Sequence, residues 1–276
     1  MTVDIPLAGV TGWPIHHSRS PTLHGHWLKR YELAGHYIPM PVAPENLERA
    51  LEALPGLGFR GINVTIPHKQ AVMPLARRVT ETAQRIGAAN TLTFLPEGGF
   101  EADNTDAYGF VENLKAGAPS WSGAGQTPLV LGAGGAARAV LVALLDVGAA
   151  QILLANRTQA RAEELANAFG PKITVIPWEE INDAVAQSDL VVNTTSLGMA
   201  GHGTLPLSLD AARPGTLITD IVYTPLMTPL LVDAQSRGLP FVDGVGMLLH
   251  QAVPGFSRWF GQHPEVDENL RKAVLG

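Results

Sequence analysis

Short apolar runs carrying β-branched residues alternate with helical stretches along almost the whole chain, the pattern of strand, helix, strand units feeding a parallel sheet. Predicted strands are Ile5 to Val10, Tyr37 to Val42, Gly61 to Ile66, Leu129 to Leu131, Gln151 to Ala155, Ile173 to Ile176, Leu190 to Thr194, Leu217 to Val222 and Pro240 to Val242. The fold class read from this alternation is α/β. Ser20 followed by Pro21 predicts an N-cap and a first-turn proline, opening a helix that runs to about Leu33. Gly148 and Gly238 predict helix ends. The stretch from Lys115 to Pro128, rich in Gly, Pro and Ser, precedes the most apolar strand and predicts the opening of a second structural unit. A final apolar helix, from about Gly246 to Phe260, follows the pair Gly244 and Gly246, where the chain has the freedom to return to the first lobe. Two lobes are therefore expected, residues 1–105 with 245–276, and residues 106–244.

Composition narrows the function classes. At about 150 residues per domain, 276 residues make just under two domains. Gly and Pro (29 and 21 residues) stay below low-complexity levels and 46% of the chain is hydrophobic, so a packed core is expected. The formal charge is −6 with no basic run, which leaves no electrostatic footprint for nucleic acid. The absence of cysteine removes thiolate nucleophiles, iron–sulfur clusters, cysteine zinc sites and disulfides. The opening MTVDIPLAGV carries Asp4 and no basic n-region, and the most apolar stretch, residues 128 to 150, is interrupted by Arg138 and Asp146. A cytoplasmic protein with neither leader nor membrane span is expected. The nine histidines are scattered, His24 and His26 falling on different faces of one helix, and no metal site is expected.

Leu129 to Leu131 runs into Gly132, Ala133, Gly134, Gly135, Ala136 and Ala137, and then into the helix ARAVLVALL. This is a strand, glycine turn, helix sequence. The first glycine allows a tight turn, the second lets backbone approach a pyrophosphate, and a small sixth residue lets helix and strand pack closely, with phosphate at the helix N-terminus. A packing turn alone would need no second strand ending about twenty residues on, where QILLA stands. At that strand end an NAD-binding chain offers a carboxylate to the ribose hydroxyls, whereas here Asn156, Arg157 and Thr158 stand, with Arg161 a short step along the next helix. Arginines there suit a 2′-phosphate, so NADP is the expected cofactor. Two merely solvated helix-start arginines are the bland alternative.

A hydride cofactor needs a carbonyl or alcohol partner, and reducing a ketone builds negative charge on oxygen that a donor must neutralise. No Tyr is followed four positions later by Lys, and no cysteine exists to hold a catalytic zinc. Of five lysines, Lys69 alone lies at a strand end beside a turn-forming proline, in NVTIPHK, and it is the candidate proton donor. DNTD places Asp103 and Asp106 just before the helix AYGFVENL, where Asp106 would serve equally well as an N-cap.

Taken in order, GWPIHHSRSP, NVTIPHK, GAANT, DNTD, LGAGGAAR, NRT with Arg161, NTTSLGM, DIVYTPLMT and DGVGMLLHQA resemble the signatures of the shikimate dehydrogenase family over nearly the whole chain. The resemblance implies a substrate-binding α/β lobe joined to a Rossmann-like doubly wound NADP lobe. It also implies reversible NADPH-dependent reduction of 3-dehydroshikimate to shikimate, on the route to chorismate and the aromatic amino acids, with Lys69 and Asp106 as the catalytic pair. Ser18, Ser20 and Tyr223 would hold the substrate carboxylate. Asn63, Thr65, Asn90, Asp106 and Gln251 would read the ring hydroxyls. Thr195, Ile221 and Gly244 match positions beside the nicotinamide, and Glu81 is a further cofactor-side match. Taken singly, Ser20 is as well explained as an N-cap, Asn90 as a turn and Tyr223 as a core ring with a wet tip.

Trp13 and Ala102 depart from the family pattern, which has a smaller polar residue and a glycine there. A quinate/shikimate dehydrogenase is the nearest alternative, but relatives accepting quinate resemble this motif with threonine in place of Ser20 and an acid in place of Arg157. A non-catalytic NADP-sensing module on the same sheet would not need Lys69 and Asp106 together. The expected partners are small molecules alone, with the chain a monomer or homodimer.

Overall fold

A computed structural model describes residues 5–276, which form two compact units. One comprises the chain up to Thr105 together with Leu249–Gly276, and the other comprises Asp106–Leu248, so the last division falls inside the helix Val245–Phe260. The Gly-, Pro- and Ser-rich stretch 115–128 lies within the second unit, running from the last turn of its first helix, Asp106–Gly117, to the start of the strand Pro128–Leu131, so the unit opens before it.

The first unit is built on a six-stranded mixed sheet. Its strands are β1 (Leu7–Gly12), β2 (His36–Pro41), β3 (Phe59–Val64), β4 (Arg78–Val79), β5 (Thr91–Phe94) and β6 (Phe100–Asp103), in the order β2-β1-β3-β5-β6-β4. β1 pairs parallel with β2 and β3, and β5 runs antiparallel to both β3 and β6. The predicted strands at β1 to β3 are present, shifted by one or two residues, whereas β4, β5 and β6 were not predicted. Ile62, Val64, Ala89, Leu92 and Ala102 pack with Leu47, Leu51 and Leu54 of the covering helical segment.

The first helix covers Ser20–Arg30 and stops short of Leu33. Ser20 is its first helical residue and not its cap; Arg19 holds the cap position without a side-chain bond, and the Ser18 hydroxyl accepts the Ser20 N–H at 3.3 Å. Pro21 sits in the first turn, where its missing N–H costs nothing.

The second unit has β7 (Pro128–Leu131), β8 (Ile152–Ala155), β9 (Ile173–Val175), β10 (Leu190–Asn193), β11 (Leu217–Asp220) and β12 (Phe241–Val242). All its pairings are parallel and the order is β12-β11-β10-β7-β8-β9. This is the doubly wound order, with its switch point between β7 and β10. Both faces of such a sheet are covered, which is why β7, β8, β10 and β11 are buried at every position and β7 and β8 read as continuous apolar runs. Gly148 and Gly238 carry left-handed φ values of +87° and +68° just past their helices, as predicted. Among the described residues no helix is long and apolar enough to cross a membrane.

Candidate active site

In the first unit the candidate residues gather where β1, β3 and β6 end and the antiparallel β5 begins, which is one edge of the sheet. Ser18 and Ser20 follow β1, Thr65 and Lys69 follow β3, and Asn90 immediately precedes β5. The Thr65 N–H donates to Thr11 O at 2.9 Å and the Trp13 N–H donates to Ile66 O at 3.1 Å, tying the two strand-end loops together. Trp13 and Ile66 are exposed.

Asn90 is the centre of a buried polar network. Its Oδ1 accepts the Thr105 N–H at 2.9 Å, the Thr105 hydroxyl at 3.1 Å and the Thr91 hydroxyl at 2.9 Å, and its Nδ2 donates to Gln251 Oε1 at 3.3 Å. Asn63 adjoins it, with Nδ2 donating to Asn90 O and to Thr91 Oγ1, both at 3.1 Å, and Oδ1 accepting the Tyr37 hydroxyl at 2.7 Å. Both catalytic candidates border this network along the chain. The Lys69 carbonyl accepts the N–H of Ala89, next to Asn90, and Asp106 follows Thr105 directly. Asp103 is bound elsewhere, to the Thr80 hydroxyl at 2.6 Å and to Arg258 at 2.7 Å, which makes it a structural carboxylate. Thr80 also caps the helix Glu81–Ile86, so Glu81 lies exposed in a first turn of this unit.

His24 lies under the network, fully buried. It stacks on Tyr37 at 3.9 Å with an interplanar angle of 3°, and Trp27, Phe256 and Trp259 surround it. Among the described residues neither ring nitrogen has a hydrogen-bond partner in good geometry. Burial lowers its pKa to about 3, with the neighbouring Asn63 amide pulling weakly the other way.

In the second unit every parallel strand ends on the same side, and β7, β8, β10, β11 and β12 lead there to Gly132, Asn156, Thr195, Ile221 and Gly244. Gly132 has φ +110°, and a Cβ there would meet Thr194 Oγ1 at 2.6 Å, so no other residue fits the turn. A Cβ on Gly134 or Gly135 would meet nothing within 4 Å, leaving open space above the start of the helix Gly135–Asp146, which no side chain caps. Asn156 Oδ1 accepts the Ala133 N–H at 3.1 Å and its Nδ2 donates to Thr158 O at 2.8 Å, clamping the glycine loop to the next strand end. Arg157 and Arg161 are exposed and make no ion pair among the described residues. An open backbone cradle beside two uncommitted guanidinium groups fits a phosphorylated dinucleotide.

Below that edge, Asn193 Oδ1 accepts both the N–H (3.0 Å) and the hydroxyl (2.7 Å) of Thr195. Its Nδ2 donates to Asp220 Oδ1 at 3.0 Å. Asp220 is fully buried, accepts from Val222 N–H and from the Thr228 hydroxyl, and is raised above the usual carboxylate range by burial, which those hydrogen bonds oppose. A Cβ on Gly244 would lie 2.5 Å from Ile221 O, so these two candidates touch through backbone. Tyr223, the remaining candidate, is exposed two residues beyond Ile221.

Three regions of the chain match known family models: residues 10–92 the shikimate dehydrogenase substrate binding domain, 118–200 shikimate/quinate 5-dehydrogenase, and 244–275 the shikimate 5′-dehydrogenase C-terminal domain. The chain belongs to the shikimate dehydrogenase family. The NADP(+) shikimate dehydrogenase of Paracoccus denitrificans is 56% identical over 98% of this chain and 96% of its own length, and that of Jannaschia sp. is 55% identical over 100% and 99%. Among solved structures, shikimate 5-dehydrogenase from Thermus thermophilus in complex with NADP(H) and shikimate has a TM-score of 0.85 at 36% identity, covering 98% of both chains. Quinate dehydrogenase from Corynebacterium glutamicum in complex with NAD has a TM-score of 0.89 at 31% identity, also over 98% of both.

Sequence reasoning missed Tyr37, Thr91 and Thr105 in the first unit and Asn193 and Asp220 in the second. Asn193 and Asp220 stand at strand ends inside quoted motifs, and a polar side chain closing an apolar run is the signal that points to them. Nothing in the sequence ties Tyr37 to Asn63, because the pairing spans two neighbours of β1.

Proposed function

We infer that this protein is an NADP-dependent oxidoreductase acting on a CH–OH group, a shikimate dehydrogenase that reversibly reduces 3-dehydroshikimate to shikimate. One observation carries the reading: identity of 54–56% over essentially the whole chain to NADP(+) shikimate dehydrogenases, in a chain that offers Arg157 and Arg161 where an NAD-specific site would offer a carboxylate.

The residues that would hold NADP are Gly132 to Ala136 at the phosphates, Asn156, Arg157, Thr158 and Arg161 at the 2′-phosphate side, and Thr195, Ile221 and Gly244 beside the nicotinamide, with Glu81 a further candidate. When bound, NADPH supplies the hydride. The chain supplies the rest. Ser18, Ser20 and Tyr223 offer neutral hydroxyls to the substrate carboxylate, and Thr65, Asn90 and Gln251 read ring hydroxyls with the mixed donor and acceptor complement a polyol demands. Asn63 contributes by holding Asn90. The Lys69 ammonium stabilises the negative charge growing on the carbonyl oxygen and gives it a proton, and Asp106 orients that ammonium and shares its proton. In the reverse direction Lys69 takes the hydroxyl proton back. The substrate residues lie on residues 1–105 and 245–276 and the cofactor residues on 106–244, apart from Asp106, Tyr223 and Glu81. The chain works in the cytoplasm on free small molecules, as a monomer or homodimer.

A spectrophotometric assay pairing shikimate and quinate with NADP and NAD tests this. Shikimate with NADP is the expected pair, and a preference for quinate with NAD overturns the assignment.

A further inference from the structure

The orientation of the two buried carboxamides, Asn63 and Asn90, is decided by backbone groups that can play only one role. Asn63 Nδ2 lies 3.1 Å from the Asn90 carbonyl, which only accepts, so the other end of that amide is oxygen. That oxygen faces Tyr37 Oη at 2.7 Å, so the phenol must donate. Asn90 Oδ1 lies 2.9 Å from the Thr105 N–H, which only donates, so Asn90 presents nitrogen to Gln251 and Gln251 must accept with Oε1. Thr91 joins the two amides, accepting from Asn63 Nδ2 at 3.1 Å and donating to Asn90 Oδ1 at 2.9 Å. The hydrogen bonds therefore run in one sense, from Tyr37 through Asn63, Thr91 and Asn90 to Gln251.

We propose that Tyr37 is a positioning residue for the substrate site, and that its hydroxyl, acting through Asn63 and Thr91, holds the Asn90 and Gln251 amides in place in the orientation that the Thr105 N–H sets. Tyr37 is suited to this. It is 8% exposed, its ring is clamped flat against His24 at 3.9 Å, and its phenol is also a neighbour of the Ser20 hydroxyl. Burial pushes its ionisation well above the usual tyrosine range, so the proton stays available for donation at every working pH. Every other link is buried too, Asn63 at 5%, Thr91 at 0%, Asn90 at 3% and Gln251 at 9% exposure, so water competes little for these bonds. The polarity matters for specificity. A buried site whose amides are pinned rejects a ligand with the wrong donor pattern, whereas a site whose amides turn freely accepts either.

The proposal rests on Asn90 and Gln251 reading the substrate, as given above. Tyr37→Phe keeps the ring and removes only the donor. In the full-length protein it is expected to lower kcat/KM for shikimate about tenfold, the size of one hydrogen bond, while KM and Kd for NADP stay within twofold of the parent. Thr91→Val cuts the same chain one link on and is expected to give the same split, and Thr91→Ser, which returns the hydroxyl, recovers most of the loss. The double variant Tyr37→Phe/Thr91→Val should lose no more than about twofold beyond the worse single variant, because both break one chain. A merely structural tyrosine would lower the thermal midpoint without separating the two substrates. An unchanged shikimate kcat/KM in Tyr37→Phe, an equal loss toward both substrates, or multiplying losses in the double variant would overturn the proposal. The parent's own turnover of shikimate with NADP, read in the same assay, tests the activity separately.

Discussion

Replacing His24 by phenylalanine should make the protein more resistant to acid, although it removes a polar residue from beside the candidate active site. The ring is fully buried and stacked at 3.9 Å on Tyr37, and among the described residues neither nitrogen has a hydrogen-bond partner in good geometry. Its pKa in the folded chain is about 3, against 6.5 for an ordinary histidine. The unfolded chain thus binds a proton below pH 6.5 that the folded chain refuses. Stability is complete above pH 6.5 and drains away as pH falls from there toward 3. Each unit in that window costs about 1.4 kcal/mol, so at pH 5.0 this one side chain removes about 2 kcal/mol. Phenylalanine keeps the stack and gives up only the contact with the Asn63 amide. Urea unfolding followed by tryptophan fluorescence reads the result directly, because Trp27 and Trp259 both flank the ring. Between pH 7.5 and 5.0 the parent should lose about 2 kcal/mol more than His24→Phe, with the variant at least as stable at pH 7.5. Equal losses in the two proteins would refute the reasoning, as would an NMR titration in which the His24 ring protonates near pH 6.

Lys69→Ala should cut turnover about a hundredfold or more, the usual worth of a positioned general acid, with NADP affinity retained; unchanged turnover would remove it from the chemistry. Arg157→Ala is expected to weaken NADP about tenfold and NAD hardly at all, read by cofactor titration, since one charge-assisted contact to phosphate is lost; equal effects on both would refute the phosphate role. Asp220→Asn should leave stability at pH 7.5 unchanged or improved within about 1 kcal/mol, despite removing a buried carboxylate that accepts hydrogen bonds. The native carboxyl is raised by burial, so its contribution is fullest below its unfolded value and falls as pH rises through the folded one. The variant's advantage should accordingly vanish below pH 4 in thermal melts, and a large loss at neutral pH would show that the hydrogen bonds outweigh the desolvation.

The doubly wound unit was legible because its central strands obey one rule. Both faces are covered, so β7 and β8 are continuous apolar runs and β10 begins as one, and the glycine turn after β7 has a local cause in the φ of +110° at Gly132. The antiparallel β5 and β6 were not legible, and the reason is tertiary. β6 reads FEAD, and two acids in four residues argue against a strand on propensity. Asp103 is tolerated there because Arg258, 155 positions away, and the Thr80 hydroxyl neutralise and bond it. At Ser20 the misreading was local: the hydroxyl that accepts an N–H at the start of the helix belongs to Ser18, so the helix begins one residue earlier than a serine cap before proline suggests.

The same physical reason explains why the candidate residues could be named from sequence while their supporting partners could not. Asparagine at the end of an apolar run reads as a turn former, since its short amide competes for local backbone. In this chain Asn90, Asn156 and Asn193 each use both ends of the amide at once. The oxygen takes an N–H, from Thr105, Ala133 or Thr195 respectively, and the nitrogen gives to Gln251, to Thr158 O, or to Leu197 O and Asp220. Each therefore stitches two loops that are distant in sequence but meet at the carboxyl edge of a sheet. Serine is too short to span such a gap. Aspartate has the length but no donor, and at Asn156 it would set a carboxylate oxygen against a carbonyl 2.8 Å away. The two units, though they share neither topology nor strand order, thus arrive at one solution for holding irregular loops still. Strands fix the positions of the loop ends, and amides with a defined sense fix the backbone between them, so that the groups facing the ligands need not organise themselves.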